Sequence, residues 1–205
     1  MVRRTKIEAE ATRCQILDAA EVVFFELGVA RATLSHIAAH AGVTRGAIYW
    51  HFKNKVDLIE AMLERVSLPM QEIANTLPAA ESADPLGDLQ RTTVQMLRRV
   101  STDRQTQRVF DILINKCELV DDMEVAREPY LKCRGRCMET MERGFRAAKA
   151  LRQLKKGMTP RNAAIGLHAL VEGLVSSWLL KPEEFAIGSV AEVVVGAYIA
   201  GLRNA

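Results

Sequence analysis

Aromatic residues make up only 5% of this 205-residue chain, and strand signals are almost absent. No period-two apolar run bounded by turn residues occurs, while hydrophobic residues reach 49%, with Ala, Leu and Val abundant. That balance argues against a sheet-based fold and favours an all-α protein with a sizeable core. Cysteine is scarce too: the four present have no zinc-type spacing, which fits a reducing cytoplasm. Also missing are a phosphate-cradling glycine loop, a nucleophile elbow, a metal motif and a carboxylate pair in catalytic context. An enzyme is therefore the competing class rather than the expected one, and no catalytic residue, metal or cofactor is assigned. The N-terminus runs into a polar helix rather than an apolar leader. The most apolar segments, around 163–180 and 185–202, are interrupted by His168, Glu172, Lys181, Pro182 and Glu192, so neither reads as a membrane span.

One further absence is local. No Asp or Glu lies between Glu26 and Asp57, where Arg31, Arg45, Lys53, Lys55 and three of the four histidines are found. Residues 1–55 hold eight Lys/Arg against five Asp/Glu, so this segment carries the whole net charge of +3. An acid-free basic patch is what neutralising phosphates requires.

Helical signals account for most of the chain. A first helix is expected from after Thr5 to Gly28, with Ile16, Ala20, Val23, Phe24 and Leu27 as its packed stripe. A second starts at the cap candidate Thr33, with Leu34, Ile37, Ala38 and Ala41 inward, and Gly42 supplies a left-handed turn. Thr44 caps a short third helix, 44–52, in which Ile48 and Phe52 sit four apart and face inward. Arg45, Gly46, Tyr49 and the flank of Trp50 are then left outside, with His51, Lys53 and Lys55 at the end. A short helix that exposes such groups suits a polyanionic groove, and together the elements read as a helix-turn-helix.

Asn54 is the cap candidate of a fourth helix, which Pro69 is expected to kink or end. A loop is expected at 77–85, then helices near 86–101, 104–117, 122–153, 160–180 and 187–203. Pro129 is placed to kink the long one, Lys155-Lys156-Gly157 to end it, and Thr159-Pro160 to start the next. The last two helices are apolar nearly all round, so they need cover on both sides. The economical cover is the same pair from a second copy, a four-helix dimer interface.

Ile37-Ala-x-x-Ala-Gly-Val-Thr-Arg-Gly-Ala-Ile-Tyr-Trp-His-Phe-Lys-Asn-Lys resembles, almost letter for letter, the signature of the TetR/AcrR family of transcriptional repressors. The remainder is similar to the branch that represses multidrug efflux pumps, through Asn115-Lys116-Cys117-Glu118 and Val171-Glu-Gly-Leu-x-x-x-Trp178-Leu-Leu. The resemblance implies a three-helix DNA-binding head, 1–55, and a six-helix effector-binding and dimerisation body, 56–205. It also implies residue roles. Thr33 and Ser35 would touch phosphate or groove edge, Arg45, Gly46 and Tyr49 would enter the major groove, His51 and Lys55 would grip phosphates, and Thr44 and Lys53 are further DNA-binding positions. Arg3, Arg4 and Lys6 would form a basic arm, and Trp50 would mainly pack, with partial backbone contact. The partners implied are double-stranded operator DNA, a second copy of the chain and a small hydrophobic effector such as a drug. A metabolic ligand, such as an acyl thioester, is the alternative.

Candidate effector-lining residues are Met62, Val66, Met96, Phe110, Ile114, Cys137, Met141, His168, Val171 and Glu172. They combine pliable methionines with a few polar groups. His168 and Glu172, one turn apart on an apolar helix, are placed to pair with each other or to orient a ligand. Cys133 and Cys137 are also one turn apart; helix geometry disfavours a disulfide between them, and a metal would need two further ligands.

Overall fold

The computed structural model describes residues 6–75, 82–117 and 124–204. Among these residues it is all-helical: α1 (Lys6–Leu27), α2 (Leu34–His40), α3 (Arg45–His51), α4 (Lys55–Asn75), α5 (Pro85–Thr102), α6 (Arg104–Asp111), α7 (Glu124–Ala150), α8 (Pro160–Leu180) and α9 (Ile187–Leu202). The described residues form two compact units, one from 1–66 with 108–132 and the other from 67–107 with 133–205.

Local chemistry explains most boundaries. Thr33, Thr44 and Thr159 each accept a hydrogen bond from the backbone N–H three residues on, at 3.1 Å. Asn54 accepts from the Asp57 N–H, and Asp57 in turn accepts from the Lys53 N–H, both at 2.9 Å. This reciprocal pair closes the start of α4. Gly42, at φ +64°, ends α2 with its own N–H on Ala39 and the Val43 N–H on Ala38.

Four sequence expectations are corrected. α4 runs through Pro69 to Asn75, so of the two expected effects, a kink or an end, the proline does not produce the second. α6 does not continue as α-helix to 117: residues Ile112–Lys116 widen into a π-helical turn. α7 stops at Ala150, ahead of Lys155-Lys156-Gly157. There Arg152 takes φ +58°, its N–H reaching Lys149 and the Gln153 N–H reaching Ala148, which is the six-residue closing motif usually built on glycine. Leu27 was expected in the packed stripe of α1 but is 37% exposed. The expected loop at 77–85 falls largely outside the described residues.

In the first unit, Ile16, Leu17, Ala20 and Phe24 of α1 share a core with Ile37, Ile48, Leu58, Ile59 and Met62. Polar ties register the helices. Gln15 Nε2 donates to the Ala41 carbonyl at 2.7 Å, and Arg65 pairs with Asp18 at 2.7 Å and with the buried Glu21 at 3.4 Å. In the second unit, α9 packs on α5 and α8. The Tyr198 hydroxyl donates to the Ala163 carbonyl at 2.8 Å, and Arg203 holds the α5 cap residue Asp84, also at 2.8 Å. That guanidinium keeps the Asp84 carboxyl below its ordinary range.

Gly144 of α7 leaves room for Leu89 of α5: a Cβ there would lie 2.8 Å from Leu89 Cδ2. Gly144→Val is expected to destabilise the protein by about 1–3 kcal/mol through overpacking. A lowered thermal midpoint with unchanged helical circular dichroism at 20 °C would register it, and an unchanged midpoint would show that the two helices can separate freely.

Candidate nucleic-acid interface and effector-facing residues

The interface is built on α3, a helix too short to be stable alone. Ile48 (0% exposed) and Phe52 (3%) anchor it in the first unit's core, and Arg13 stacks over the Phe52 ring at 5.4 Å. With those two residues inward, Thr44, Arg45 and Gly46 are exposed on the opposite side, as are Tyr49 (53%) and Trp50 (73%). No side chain fills the space above Gly46: a Cβ built there would meet only the Thr44 hydroxyl, at 3.9 Å. A duplex edge could therefore approach the backbone closely at this point.

Trp50 corrects an expectation. It was assigned mainly to packing, yet it is the most exposed aromatic of α3, its ring edge-on to His51 at 4.5 Å. Thr33 and Lys53 are exposed, while Ser35 and His51 are half-buried. Lys55 is half-buried and already engaged, its Nζ donating to the Val29 carbonyl at 2.8 Å and to the Ala30 carbonyl at 3.1 Å. It ties the α1–α2 turn to the start of α4, a structural job that sequence reasoning missed. Its ammonium keeps one donor for a phosphate. Arg3 and Arg4 lie outside the described residues.

The same turn is held from a second side. The Val29 N–H donates to the Lys116 carbonyl at 3.0 Å, the last residue of the π-helical turn. Gly28 supplies the φ of +76° that the turn needs; a Cβ there would sit 3.7 Å from that carbonyl oxygen, an ordinary contact, so the backbone angle rather than space calls for glycine. Lys116 also places its ammonium 5.7 Å from the Phe25 ring centroid. No sequence signal announced this clasp, because a π-turn follows from which carbonyl is needed elsewhere rather than from residue type.

The candidate effector residues separate between the units. Met62 and Val66 belong to the first unit and are fully buried; Phe110 is half-buried and Ile114 exposed. Met96, Cys137, Met141, His168, Val171 and Glu172 belong to the second. There Met141 is buried and Met96, Cys137 and Val171 are half-buried. His168 Nδ1 lies 3.2 Å from Glu172 Oε2, so the expected pair is in contact. That nitrogen is buried and makes no well-aligned hydrogen bond. Burial pushes the His168 pKa below its ordinary value, Glu172 opposes the shift and Arg134 reinforces it. Among the described residues, no three His, Cys, Asp or Glu come together as a metal site.

Two helices joined by a glycine turn, the second anchored by two apolar residues with Arg, Gly and Tyr turned outward, define a DNA-binding regulator of the helix-turn-helix class. Residues 16–62 match the family described as bacterial regulatory proteins, tetR family, and residues 84–203 match the C-terminal region of the MAATS-type transcriptional repressors. The chain is 40% identical over 183 residues to the HTH-type transcriptional regulator TtgR of Pseudomonas putida, covering 89% of this chain and 87% of that one. Among solved structures it is similar to NalD, the secondary repressor of the MexAB-OprM multidrug efflux pump in Pseudomonas aeruginosa. That similarity has a TM-score of 0.87 and 37% identity, over 97% of this chain and 99% of that one. It is also similar to SmeT of Stenotrophomonas maltophilia in its complex with triclosan, with a TM-score of 0.84 and 36% identity, over 95% and 92% of the two chains. The protein belongs to the TetR family of transcriptional regulators.

His168 makes a pH prediction. Folding favours its neutral form, so its contribution to stability is fully present above the unfolded value of about 6.5 and is lost as pH falls below it. The urea midpoint is expected to fall between pH 7.5 and 5, and to fall less steeply in His168→Gln. An equal slope in the two proteins would mean that other groups carry the acid sensitivity.

Proposed function

We propose that the protein is a cytoplasmic, homodimeric repressor of a multidrug efflux operon, released from a near-palindromic operator by a small lipophilic ligand. The observation that carries the reading is the outward face of α3 set in a segment without a single acidic residue from 27 to 56. Arg45 is suited to a bidentate contact with guanine, Gly46 admits the groove edge, and Tyr49 reaches a base or phosphate beside them. Thr33, Ser35, Thr44, Trp50, His51, Lys53 and the free donor of Lys55 supply positioning contacts to the backbone. The role is binding rather than turnover.

Dimerisation is supported by apolar surface left uncovered on the last two helices. α8 exposes Ile165, Ala169, Gly173 and Leu180, while α9 exposes Val193 (72%), Ala197, Ala200 and Gly201. By length and mean hydropathy (1.5) α8 is apolar enough to cross a membrane. Its opposite side, however, is packed in the core through Ala163, Ala164, Leu167, Val175 and Trp178. Small residues on the exposed side let two such pairs approach closely, and a second copy satisfies all of this surface at once. Two α3 helices on one DNA face then need a separation of roughly 34–36 Å, or a multiple of it.

The effector reading rests on the methionines and on the contact between buried His168 and half-exposed Glu172, polar groups that a neutral, greasy ligand would meet at the edge of an apolar body. TtgR, NalD and SmeT are regulators, and the two solved ones are repressors of multidrug pumps by description. An efflux operon is accordingly the favoured target.

Fluorescence anisotropy on the chain's own promoter against random duplex tests the reading. Specific binding is expected to weaken with salt, and Arg45→Ala to lose about 5- to 150-fold on the promoter, the worth of one good bidentate base contact. Equal affinity for the two duplexes would sink it. Val193→Glu is expected to convert the dimer to monomers in sedimentation velocity at micromolar concentration, with near-native helicity, because it buries a charge without a partner. A dimer that survives this change would place the interface elsewhere.

A further inference from the structure

The second unit carries a run of cations that the DNA-facing helix does not use. No Asp or Glu occurs between Glu142 and Glu172, and seven Lys or Arg stand in that stretch, against four in the acid-free stretch 27–56. Arg143 and Lys149 lie on α7, Arg152 and the pair Lys155-Lys156 lie in the connection to α8, and all five are exposed. Among the described residues none of the five pairs with an acid. Arg146, between the first two, meets Glu142 at 2.6 Å. Arg161 lies one turn before Ile165, on the side of α8 assigned to the dimer, and is left out of the surface.

The connection that bears these cations is fixed. The Asn204 N–H donates to the Gln153 carbonyl at 2.7 Å and the Lys155 N–H to the Leu202 carbonyl at 2.8 Å, so the end of α9 pins it. The Met158 N–H closes a turn on the Lys155 carbonyl at 3.1 Å, with Gly157 at φ +88°. Local preferences are overridden here. Arg143 and Arg146 place like charges three apart on one helix. Arg152 occupies a left-handed position that favours glycine or asparagine, yet its guanidinium makes no hydrogen bond among the described residues. The negative end of α7 favours a cation in its last turn, which accounts for Lys149; that field fades within one turn and leaves the rest. Charges of one sign, held against local preference on a rigid surface, fit a partner of opposite sign.

We propose that this surface holds a second DNA duplex by its phosphates, without regard to sequence, while α3 holds the operator, so that the protein bridges two DNA segments. A phosphate backbone needs a row of cations and no apolar anchor, and guanidinium groups meet it with paired donors. An anionic lipid surface is a poorer fit. α7 turns Met141, Phe145 and Ala148 into the core, which leaves no apolar helix face to lie in a bilayer. Leu151 is the one large apolar side chain exposed there among the described residues, and an acidic protein would need more anchorage than that. DNA held by α3 also keeps further duplex at high local concentration around the protein.

The experiment preloads the full-length protein with unlabelled promoter duplex and titrates it into a labelled random duplex, read by fluorescence anisotropy. Uptake of the second duplex is expected at about 50 mM salt, weakening with a log–log salt slope of about −3 to −4, the worth of four phosphate contacts. The quadruple variant Arg143→Gln, Lys149→Gln, Lys155→Gln, Lys156→Gln is expected to lose at least about tenfold in that uptake and to keep its promoter affinity. Its thermal midpoint is expected at or above that of the unchanged protein, because like charges are removed. The double variant Lys155→Gln, Lys156→Gln, altered only in the turn, is expected to lose about half of the slope. No uptake of a second duplex, a salt slope untouched by the quadruple variant, or an equal loss on promoter and random duplex would overturn the proposal. So would tighter binding to phosphatidylglycerol vesicles than to duplex, which would assign the surface to lipid. Bridging rests on the proposed function, and the two fail differently: protein without promoter preference sinks the repressor reading, whereas the salt slope on random duplex without preloading still separates the quadruple variant from the unchanged protein.

Discussion

Two side chains, Ile48 and Phe52, hold the helix on which the protein's recognition surface depends. A seven-residue helix has no stability of its own, so α3 exists because its inner side is buried in the first unit, where it packs on α2. Their four-residue spacing fixes the rotation of the helix, and that rotation decides which groups face outward. Arg45, Gly46, Tyr49 and Trp50 are exposed as a consequence of how Ile48 and Phe52 are buried. The core therefore sets the surface directly: loosening it would turn the exposed face of α3 as well as weaken the fold.

The two sides of the α1–α2 turn extend the same logic. Lys55 from the start of α4 and the Lys116 carbonyl from the π-helical turn both fasten residues 28–30. The turn between α1 and α2 is thus gripped from two sides within the first unit. A change in the winding of 112–116 would alter a backbone hydrogen bond to Val29, so within the first unit the π-helical turn and the α1–α2 turn are coupled through one backbone contact.

Much of this was legible in the residues. Thr33, Thr44, Asn54 and Thr159 announced helix starts because a side-chain oxygen ahead of an apolar repeat has one evident use. Gly42 announced the turn because few other residues take positive φ without strain. The outward placement of Arg45 and Tyr49 followed from periodicity alone. What could not be read has equally specific causes. Arg152 ends α7 in the left-handed region, where arginine is not expected, because the flanking hydrogen bonds to Lys149 and Ala148 stabilise it. Trp50 was assigned mainly to packing by the resemblance, and only the depth of its neighbours shows that the core is already filled by Ile48 and Phe52. Lys55 looked like a phosphate ligand, and its carbonyl partners lie 25 and 26 residues away.

By itself the sequence determined the helical class, the caps, the glycine turn and the acid-free segment, since each depends on residues within a few positions of one another and on φ/ψ or charge preferences that neighbours do not override. Tertiary structure alone decided the widening at 112–116, the double grip on the α1–α2 turn and the exposure of Trp50. Those features arise from hydrogen bonds and packing between segments distant in the chain, where the identity of the partner, and not of the residue, sets the energy.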